Sequence, residues 1–117
     1  MTTLIACVST GKGTWTKVLQ LIAAHDWENI ILITNSFGKE KFQINKDAEY
    51  IILNENMSIK DMINTISDNI KSRTCGFEVA LNIESGTGKE HMAIISAILK
   101  QGLAMRLVHF DKEIQEI

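Results

Sequence analysis

Residues 77–89 have the sequence FEVALNIESGTGK, in which an apolar run over residues 77–83 breaks into a loop of glycines and hydroxyl-bearing side chains. Four further runs are mostly apolar and continuous rather than alternating, and they cover residues 4–8, 30–33, 50–53 and 105–110. Parallel strands that are buried on both faces have this pattern. The five runs therefore predict the strands of one parallel sheet, followed by a charged tail over residues 111–117.

The segments between the predicted strands have the periodicity of helices. Residues 14–25 place apolar side chains three and four positions apart, with Thr14 as the expected cap. A second long helix is expected to begin after its cap, Ser58. The apolar stripes of these two helices consist of Trp15, Val18, Leu19 and Ile22, and of Ile59, Met62, Ile63, Ile66 and Ile70.

The last predicted helix has the clearest boundaries. Thr87 and Glu90 have the spacing of a capping box, and Gly102 is expected to end the helix. Its core-facing side is expected to consist of Met92, Ile95, Ile98 and Leu99. Residues 36–44 predict a shorter helix, whose inward-facing side chains are Phe37 and Phe42.

The alternation of strands and helices predicts the architecture. The order β-α-β-α-β-α-β-α-β is typical of a parallel sheet with helices on both faces. With 117 residues, of which 45% are hydrophobic and 22% charged, the chain has the size and composition of one globular domain. We therefore expect a single Rossmann-like three-layer α/β/α sandwich over residues 1–117, with a five-stranded parallel sheet.

Composition and charge exclude several classes of protein. A formal net charge of -2 argues against binding of duplex nucleic acid, although a local basic pocket is compatible with this charge. No apolar run approaches the ~20 residues of a membrane-spanning helix, and no positively charged leader precedes the first run. Cys7 and Cys75 lack the spacing of metal ligands, so we expect no metal and no cofactor. A soluble, cytoplasmic protein is therefore expected.

Glycines and hydroxyl-bearing residues follow the first and fourth predicted strands. Open parallel sheets bind ligands at the carboxyl ends of their strands, where the strand order reverses. In the order 3-2-1-4-5 these two strands are neighbours at that point. A flavodoxin-like order would instead put the crevice beside residues 54–56, the Asn-Glu-Asn loop after the third strand, which has no such signal. The glycines therefore favour the order 3-2-1-4-5.

Both loops lead into helix N-termini, whose N–H groups and dipoles attract anions. Lys89 lies in a first helical turn, where a cation opposes the dipole, and an anionic ligand would explain that position. We expect a phosphate or another anion. In an alternative that stays open, the glycines serve tight turns alone. The candidate residues around this crevice are Ser9, Thr10, Gly11, Lys12, Thr14, Ser85, Gly86, Thr87, Gly88, Lys89 and His91.

Two common phosphate-binding motifs do not fit these loops. A Walker A motif needs glycine where Ile83 stands and a hydroxyl where Glu90 follows Lys89, so nucleotide hydrolysis with Mg²⁺ is not expected. A dinucleotide fingerprint needs a third glycine at Thr16 and an acidic residue after the second strand, where Asn35 stands. Binding of NAD is therefore not expected.

Residues 80–89, followed by Met92, Ala93 and an apolar helix that ends at Gly102, resemble the loop after strand four in CARF domains. These CRISPR-associated Rossmann-like domains sense cyclic oligoadenylates, and a [ST]-G-G-T-K-x-M pattern opens the corresponding helix. The first strand, which breaks into residues 9–11, is similar to the family's other ligand loop. Residues 87–89, Thr-Gly-Lys, depart from the family's Gly-Thr-Lys order.

The resemblance implies a homodimer that binds a cyclic oligoadenylate over a joint pocket and either holds it or cleaves it slowly without metal. In cleavage by ring nucleases, a ribose 2′-OH attacks the neighbouring phosphate and a 2′,3′-cyclic phosphate forms. Lys12 and Lys89 would stabilise the phosphate charge, Ser9 or Thr10 would orient the ribose or phosphate, and the amides of residues 86–88 would hold the oxyanion. Only seven residues follow the last predicted strand, so no effector domain is expected.

Two further functions are compatible with the same residues. A nucleotide- or phosphometabolite-binding module would bind its ligand without chemistry. A structural dimerisation domain would need the glycines for turns only.

Overall fold

All five apolar runs form strands in the computed structural model, which describes residues 2–10, 12–73 and 76–117 and only the backbone of Lys12. Gly11, Cys75 and the side chain of Lys12 thus lie outside the described part of the chain. The elements are β1 (Thr3–Val8), α1 (Trp15–Ala23), β2 (Asn29–Thr34), α2 (Ser36–Lys41), β3 (Glu49–Ile52), α3 (Ile59–Ile70), β4 (Glu78–Asn82), α4 (Gly88–Lys100), β5 (Ala104–Asp111) and β6 (Glu113–Glu116). A 3-10 turn over Lys12–Thr14 precedes α1.

The sheet has the strand order β3-β2-β1-β4-β5-β6. The first five strands of this order run parallel to one another, and β1 lies between β2 and β4. The predicted order 3-2-1-4-5 is therefore confirmed. As a result, the loops after β1 and β4 leave the same edge of the sheet side by side.

The expected charged tail forms a sixth strand, which pairs antiparallel with β5, so the five-stranded sheet of the sequence analysis is wrong. Lys112 has a φ of 68° and reverses the chain between the two strands. Ile114 packs against the core, while Arg106 on β5 contacts Glu78 at 3.2 Å and Glu116 at 2.6 Å. The tail contains too few apolar side chains to produce a strand pattern, which is why the sequence did not reveal it.

Both faces of the sheet are covered by helices. Leu4, Ala6 and Val8 of β1 pack with α1 and with Phe42, which follows α2. The alternate residues Ile5 and Cys7 pack with α3 and α4 on the opposite face. Successive residues of a strand point to opposite faces, so β1 can supply both cores at once. The arrangement is a mostly parallel α/β fold that is broadly Rossmann-like.

The helix caps follow the sequence with one exception. The Ser58 side chain accepts a hydrogen bond from the Asp61 amide, and the capping box at the start of α4 is formed as predicted. Gly102 follows α4 with a φ of 73°, a conformation that glycine adopts at helix ends. Thr14 occupies the cap position of α1, but its side chain makes no capping hydrogen bond.

The core-facing side of α4 differs from the prediction. Its buried apolar residues are Ala93, Ile94, Ala97 and Ile98, whereas Met92 and Leu99 are 63% and 59% exposed. The buried face of α4 therefore includes two small side chains, whereas the longer Met92 and Leu99 lie outside it. Phe37 is likewise exposed rather than inward-facing, although Phe42 is buried as predicted.

No helix of the described residues is both long and apolar enough to cross a membrane.

We predict that Gly38→Ala destabilises the fold, because α2 passes close to the ends of two strands. A Cβ atom at this position would lie 2.6 Å from the Val8 carbonyl oxygen and 1.9 Å from Thr34 Oγ1. Overpacking of this kind costs ~1–3 kcal/mol, measurable as a lower free energy of unfolding in urea. Gly88→Ala is the matched control, since a Cβ there would meet no atom within 4 Å. Equal stability of the two variants would contradict the prediction.

Candidate functional site

Hydrogen bonds join the loops that follow β1 and β4. The Ser85 hydroxyl accepts from the Ser9 amide at 3.1 Å and donates to the Thr10 carbonyl at 2.6 Å. The Gly86 amide donates to the same Thr10 carbonyl at 3.0 Å. The two loops are therefore neighbours, as the strand order requires, and the hydroxyl of Ser85 serves to hold them together.

The carboxylate of Glu90 lies behind these loops, in the first turn of α4, and the residue is only 7% exposed. Its Oε1 atom accepts from Ser9 Oγ at 2.6 Å and from the Thr87 amide at 2.9 Å. Thr87 Oγ1 lies 3.3 Å from the same oxygen. These donors and the helix dipole stabilise a negative charge that burial would otherwise make costly. Glu90, expected only as a helix cap, thus also connects α4 to β1.

Gly86 is required at the turn into α4 by its conformation and by close packing. Its φ is 112°, and a Cβ atom there would lie 2.6 Å from Cys7 Sγ and 2.9 Å from His91 Nε2. His91 Nε2 lies 2.8 Å from the Ser85 carbonyl oxygen, so His91 contacts the loop that precedes its helix. The turn-forming alternative of the sequence analysis therefore accounts for Gly86. It does not account for Gly88, whose surroundings are open.

A cavity of about 700 Å³ opens at the carboxyl end of the sheet, beside the joined loops. Its walls come from the loops after β1, β2 and β3, from the end of β3 and from the first turns of α2, α3 and α4. The residues that line it are Thr10, Asn35, Ser36, Phe37, Ile52, Leu53, Asn54, Glu55, Met57, Met62, Thr87, Lys89 and Glu90. The hydrogen-bonded loops fill the space between β1 and β4, which leaves the open space on the side of β2 and β3.

Lys89 provides a positive charge at the rim of this cavity. Its Nζ atom donates to the Glu55 carbonyl at 3.1 Å, so the side chain reaches from α4 to the loop before α3. An ammonium group has three N–H donors, and this bond uses one of them. The amides of Gly88 and Lys89 have no intrahelical acceptor at the start of α4. This rim can bind an anion through the ammonium group and backbone N–H donors.

The structure separates the predicted site residues into two groups. Thr10, Thr87 and Lys89 line the cavity. Other predicted residues do not line it: Ser9, Ser85 and His91 make hydrogen bonds within the protein, Gly86 forms the turn, Gly88 is exposed beside the rim and Thr14 begins α1. The predicted roles of Gly11 and Lys12 depend on atoms outside the described ones.

Sequence reasoning missed the loops after β2 and β3. Asn35, Phe37, Asn54 and Met57 all line the cavity, although the loop over residues 54–56 was given no role. A signal was present, because polar residues follow directly on both strands and the carboxyl ends of parallel strands share one edge. These asparagines lie outside the two loops that glycines and hydroxyl-bearing residues mark in the sequence.

No family model matches this chain, and no curated protein matches it either. Support for a candidate site therefore comes from the geometry of this chain alone. Among the residues that the structure describes, no group of three or more His, Cys, Asp and Glu side chains could hold a metal ion.

We predict that Ser85→Ala lowers the free energy of unfolding by ~1–3 kcal/mol, because the buried Ser9 amide loses its acceptor and the Thr10 carbonyl loses a donor. Chemical denaturation measures the effect. Ser72→Ala, at an exposed position, is the control and should change stability by less than ~0.5 kcal/mol. If the two variants lose the same stability, Ser85 does not hold the loops together.

We also predict a loss of stability at high pH that depends on Cys7. Burial in β1, together with the nearby Glu90 carboxylate, raises the pKa of the Cys7 thiol to about 12. An unfolded cysteine ionises near ~8.5, so above that pH the unfolded chain binds fewer protons than the folded one. The stabilisation is complete below this pH and decreases as pH rises towards 12.

Between pH 7 and pH 10, urea denaturation should show an additional loss of about 1–2 kcal/mol in the wild type relative to Cys7→Ala. Every other titratable group is present in both proteins, so its contribution cancels in the difference. Parallel pH profiles of the two proteins would refute the raised pKa.

Proposed function

We propose that this protein is a CARF-like sensor domain that binds a cyclic oligoadenylate at the carboxyl ends of β1 and β4. The observation that carries the proposal is the cavity at that edge of the sheet, with Lys89 and the start of α4 at its rim. The joined loops after β1 and β4 support it, because they direct the N-terminus of α4 towards the ligand side of the sheet. We also propose that the fold is the Rossmann-like three-layer sandwich of this family.

The size of the cavity supports a dimeric binding mode. Cavities of ~300–1,000 Å³ accommodate ligands of drug size, and a cyclic tetra- or hexaadenylate is considerably larger. Such a ring would extend over the cavities of two copies, related by a two-fold axis. Met92 and Leu99 form an uncovered apolar stripe on α4 that a second copy would cover. We propose a homodimer on this basis, and a cytoplasmic location for it.

A slow, metal-independent cleavage is part of the proposal. The ribose O2′ forms a bond to the adjacent phosphorus while the bond to the leaving O5′ breaks, and the proton of the 2′-OH passes to solvent while O5′ takes one up. Lys89 and the free amides at the start of α4 would stabilise charge on the phosphate oxygens. Ser9 would act as a positioning residue, since its hydroxyl donates to Glu90.

The slowness has a structural reason. Glu90 Oε1 already accepts hydrogen bonds from Ser9 and Thr87, so this oxygen is not available to take the proton of the 2′-OH. With this oxygen engaged, positioning and charge stabilisation would supply the rate enhancement.

A second candidate, a nucleotide- or phosphometabolite-binding module without chemistry, is favoured by two observations. One cavity of about 700 Å³ is sufficient for a mononucleotide without a second copy. In addition, the hydroxyls of Ser9 and Ser85 are engaged within the protein, which leaves fewer groups for catalysis. The third alternative, a structural dimerisation domain, predicts no ligand for this cavity.

We predict that Lys89→Ala weakens binding of cyclic tetra- or hexaadenylate by about tenfold or more, because a charge-assisted hydrogen bond contributes roughly 1.5–3 kcal/mol. Binding is measured by the shift of the melting temperature. A ligand at ~100 times its dissociation constant stabilises the fold by ~2.7 kcal/mol. Lys100→Ala, an exposed lysine at the other end of the same helix, is the matched control.

The outcomes separate the candidates. A shift with a cyclic oligoadenylate that Lys89→Ala reduces and Lys100→Ala retains supports the sensor, and linear products would establish cleavage. A shift with mononucleotides alone supports the simple binding module. If no phosphate-bearing compound shifts the melting temperature, both binding proposals are wrong.

A further inference from the structure

The apolar side of the cavity consists of Phe37, Ile52 and Met57, together with the buried Leu53 and Met62. Phe37 is 52% exposed, which leaves a large part of its ring against the cavity rather than in the core. An exposed aromatic ring that lines a cavity gains free energy when an apolar ligand covers it.

The ring of Phe37 is held in place by a row of aromatic side chains. Its centroid lies 6.2 Å from that of Trp15, and Trp15 in turn packs edge-on against Phe42 at 5.6 Å. Trp15 and Phe42 are buried, so Phe37 rests on a rigid base. A ring that is already oriented loses little conformational entropy when a ligand stacks on it.

Two asparagines add hydrogen-bond donors to the same side. Asn35 Oδ1 accepts from the Gly38 amide at 2.7 Å, and Asn54 Oδ1 accepts from the Asn56 amide at 2.8 Å. An NH₂ group cannot accept a hydrogen bond from a backbone amide. These contacts therefore identify the oxygen and the nitrogen atom of each asparagine side chain. The two NH₂ groups have no acceptor in the described part of the chain, although both residues line the cavity.

An aromatic surface with adjacent amide donors matches one class of ligand group. Nucleobases are planar, stack on aromatic side chains and carry ring nitrogens or carbonyl oxygens that accept hydrogen bonds. A sugar phosphate without a base would leave Phe37, Ile52 and Met57 exposed. We infer that the apolar side of the cavity is a nucleobase subsite, in which the base stacks on Phe37 and accepts hydrogen bonds from Asn35 or Asn54.

This inference deepens the proposed function, because it assumes that the phosphate lies at the Lys89 rim of the same cavity. It also distinguishes a nucleotide from other phosphorylated metabolites. The residues that decide this follow β2 and β3, in the loops and at the start of α2, outside the glycine-rich loops.

The test uses Trp15 as a reporter in a Trp27→Phe background, where it is the remaining tryptophan of the chain. Three probes are titrated: adenosine 5′-monophosphate, ribose 5-phosphate, which lacks the base, and adenosine, which lacks the phosphate. We expect the mononucleotide to bind at least about tenfold more tightly than ribose 5-phosphate, given the usual strength of base stacking. Because Trp15 contacts Phe37, base-containing probes should also change its fluorescence.

Variants assign the effect to residues. Phe37→Ala should reduce binding of the mononucleotide and of adenosine by about tenfold and leave ribose 5-phosphate unchanged, whereas Phe37→Tyr should retain binding of all three probes. Phe77→Ala, at an aromatic residue that is 86% exposed and does not line the cavity, is the control. Asn54→Asp keeps the acceptor for the Asn56 amide and removes the NH₂ donor, so it should weaken binding of adenosine.

Failure of this inference differs from failure of the proposed function. If both phosphorylated probes bind equally and Lys89→Ala weakens both, the nucleobase subsite is wrong and the phosphate rim stands. If adenosine binds in a Phe37-dependent manner while Lys89→Ala changes nothing, the subsite stands and the phosphate rim is wrong. If none of the probes binds, the inference is overturned.

Discussion

The hydrogen bond from Ser9 Oγ to Glu90 Oε1, 2.6 Å long, connects the end of the central strand to the first turn of α4. Glu90 also caps that helix, so one carboxylate orients α4 and holds the loop after β1. Ser85 adds two further hydrogen bonds between the loops. These bonds close the space between the loops that follow β1 and β4. The open space at this edge of the sheet therefore lies beside β2 and β3.

This connection also determines where an anion can bind. The site nearest to the switch point of the sheet already contains the negative charge of Glu90, which has its own donors there. A phosphate at the same place would meet a like charge and would find the amides of Gly86 and Thr87 already used. Lys89, the residue before Glu90, lies at the rim instead. The protein's own carboxylate thus occupies the inner position, and the anion of the proposed ligand would bind at the outer one.

The fold could be predicted from the sequence wherever the signal was local or continuous. Buried strands produce apolar runs, and the caps at Ser58 and Thr87 are short-range patterns. The buried face of α4 could not be predicted, because Ala93 and Ala97 face the core through their small size and a hydrophobic pattern gives more weight to Met92 and Leu99. Strand β6 was missed for a related reason, since its pairing with β5 depends on a tight turn and exposed charges rather than on apolar residues.

The glycine-rich loops are neighbours, as predicted, but the cavity lies beside β2 and β3 and not between these two loops. The motif that carries the resemblance has two different parts. Ser85 and Gly86 serve packing and hydrogen bonding within the protein, whereas Thr87 and Lys89 line the cavity. The remaining walls come from loops that the motif does not include. Under the proposed function, the motif would hold the phosphate, and the residues that follow β2 and β3 would select the rest of the ligand.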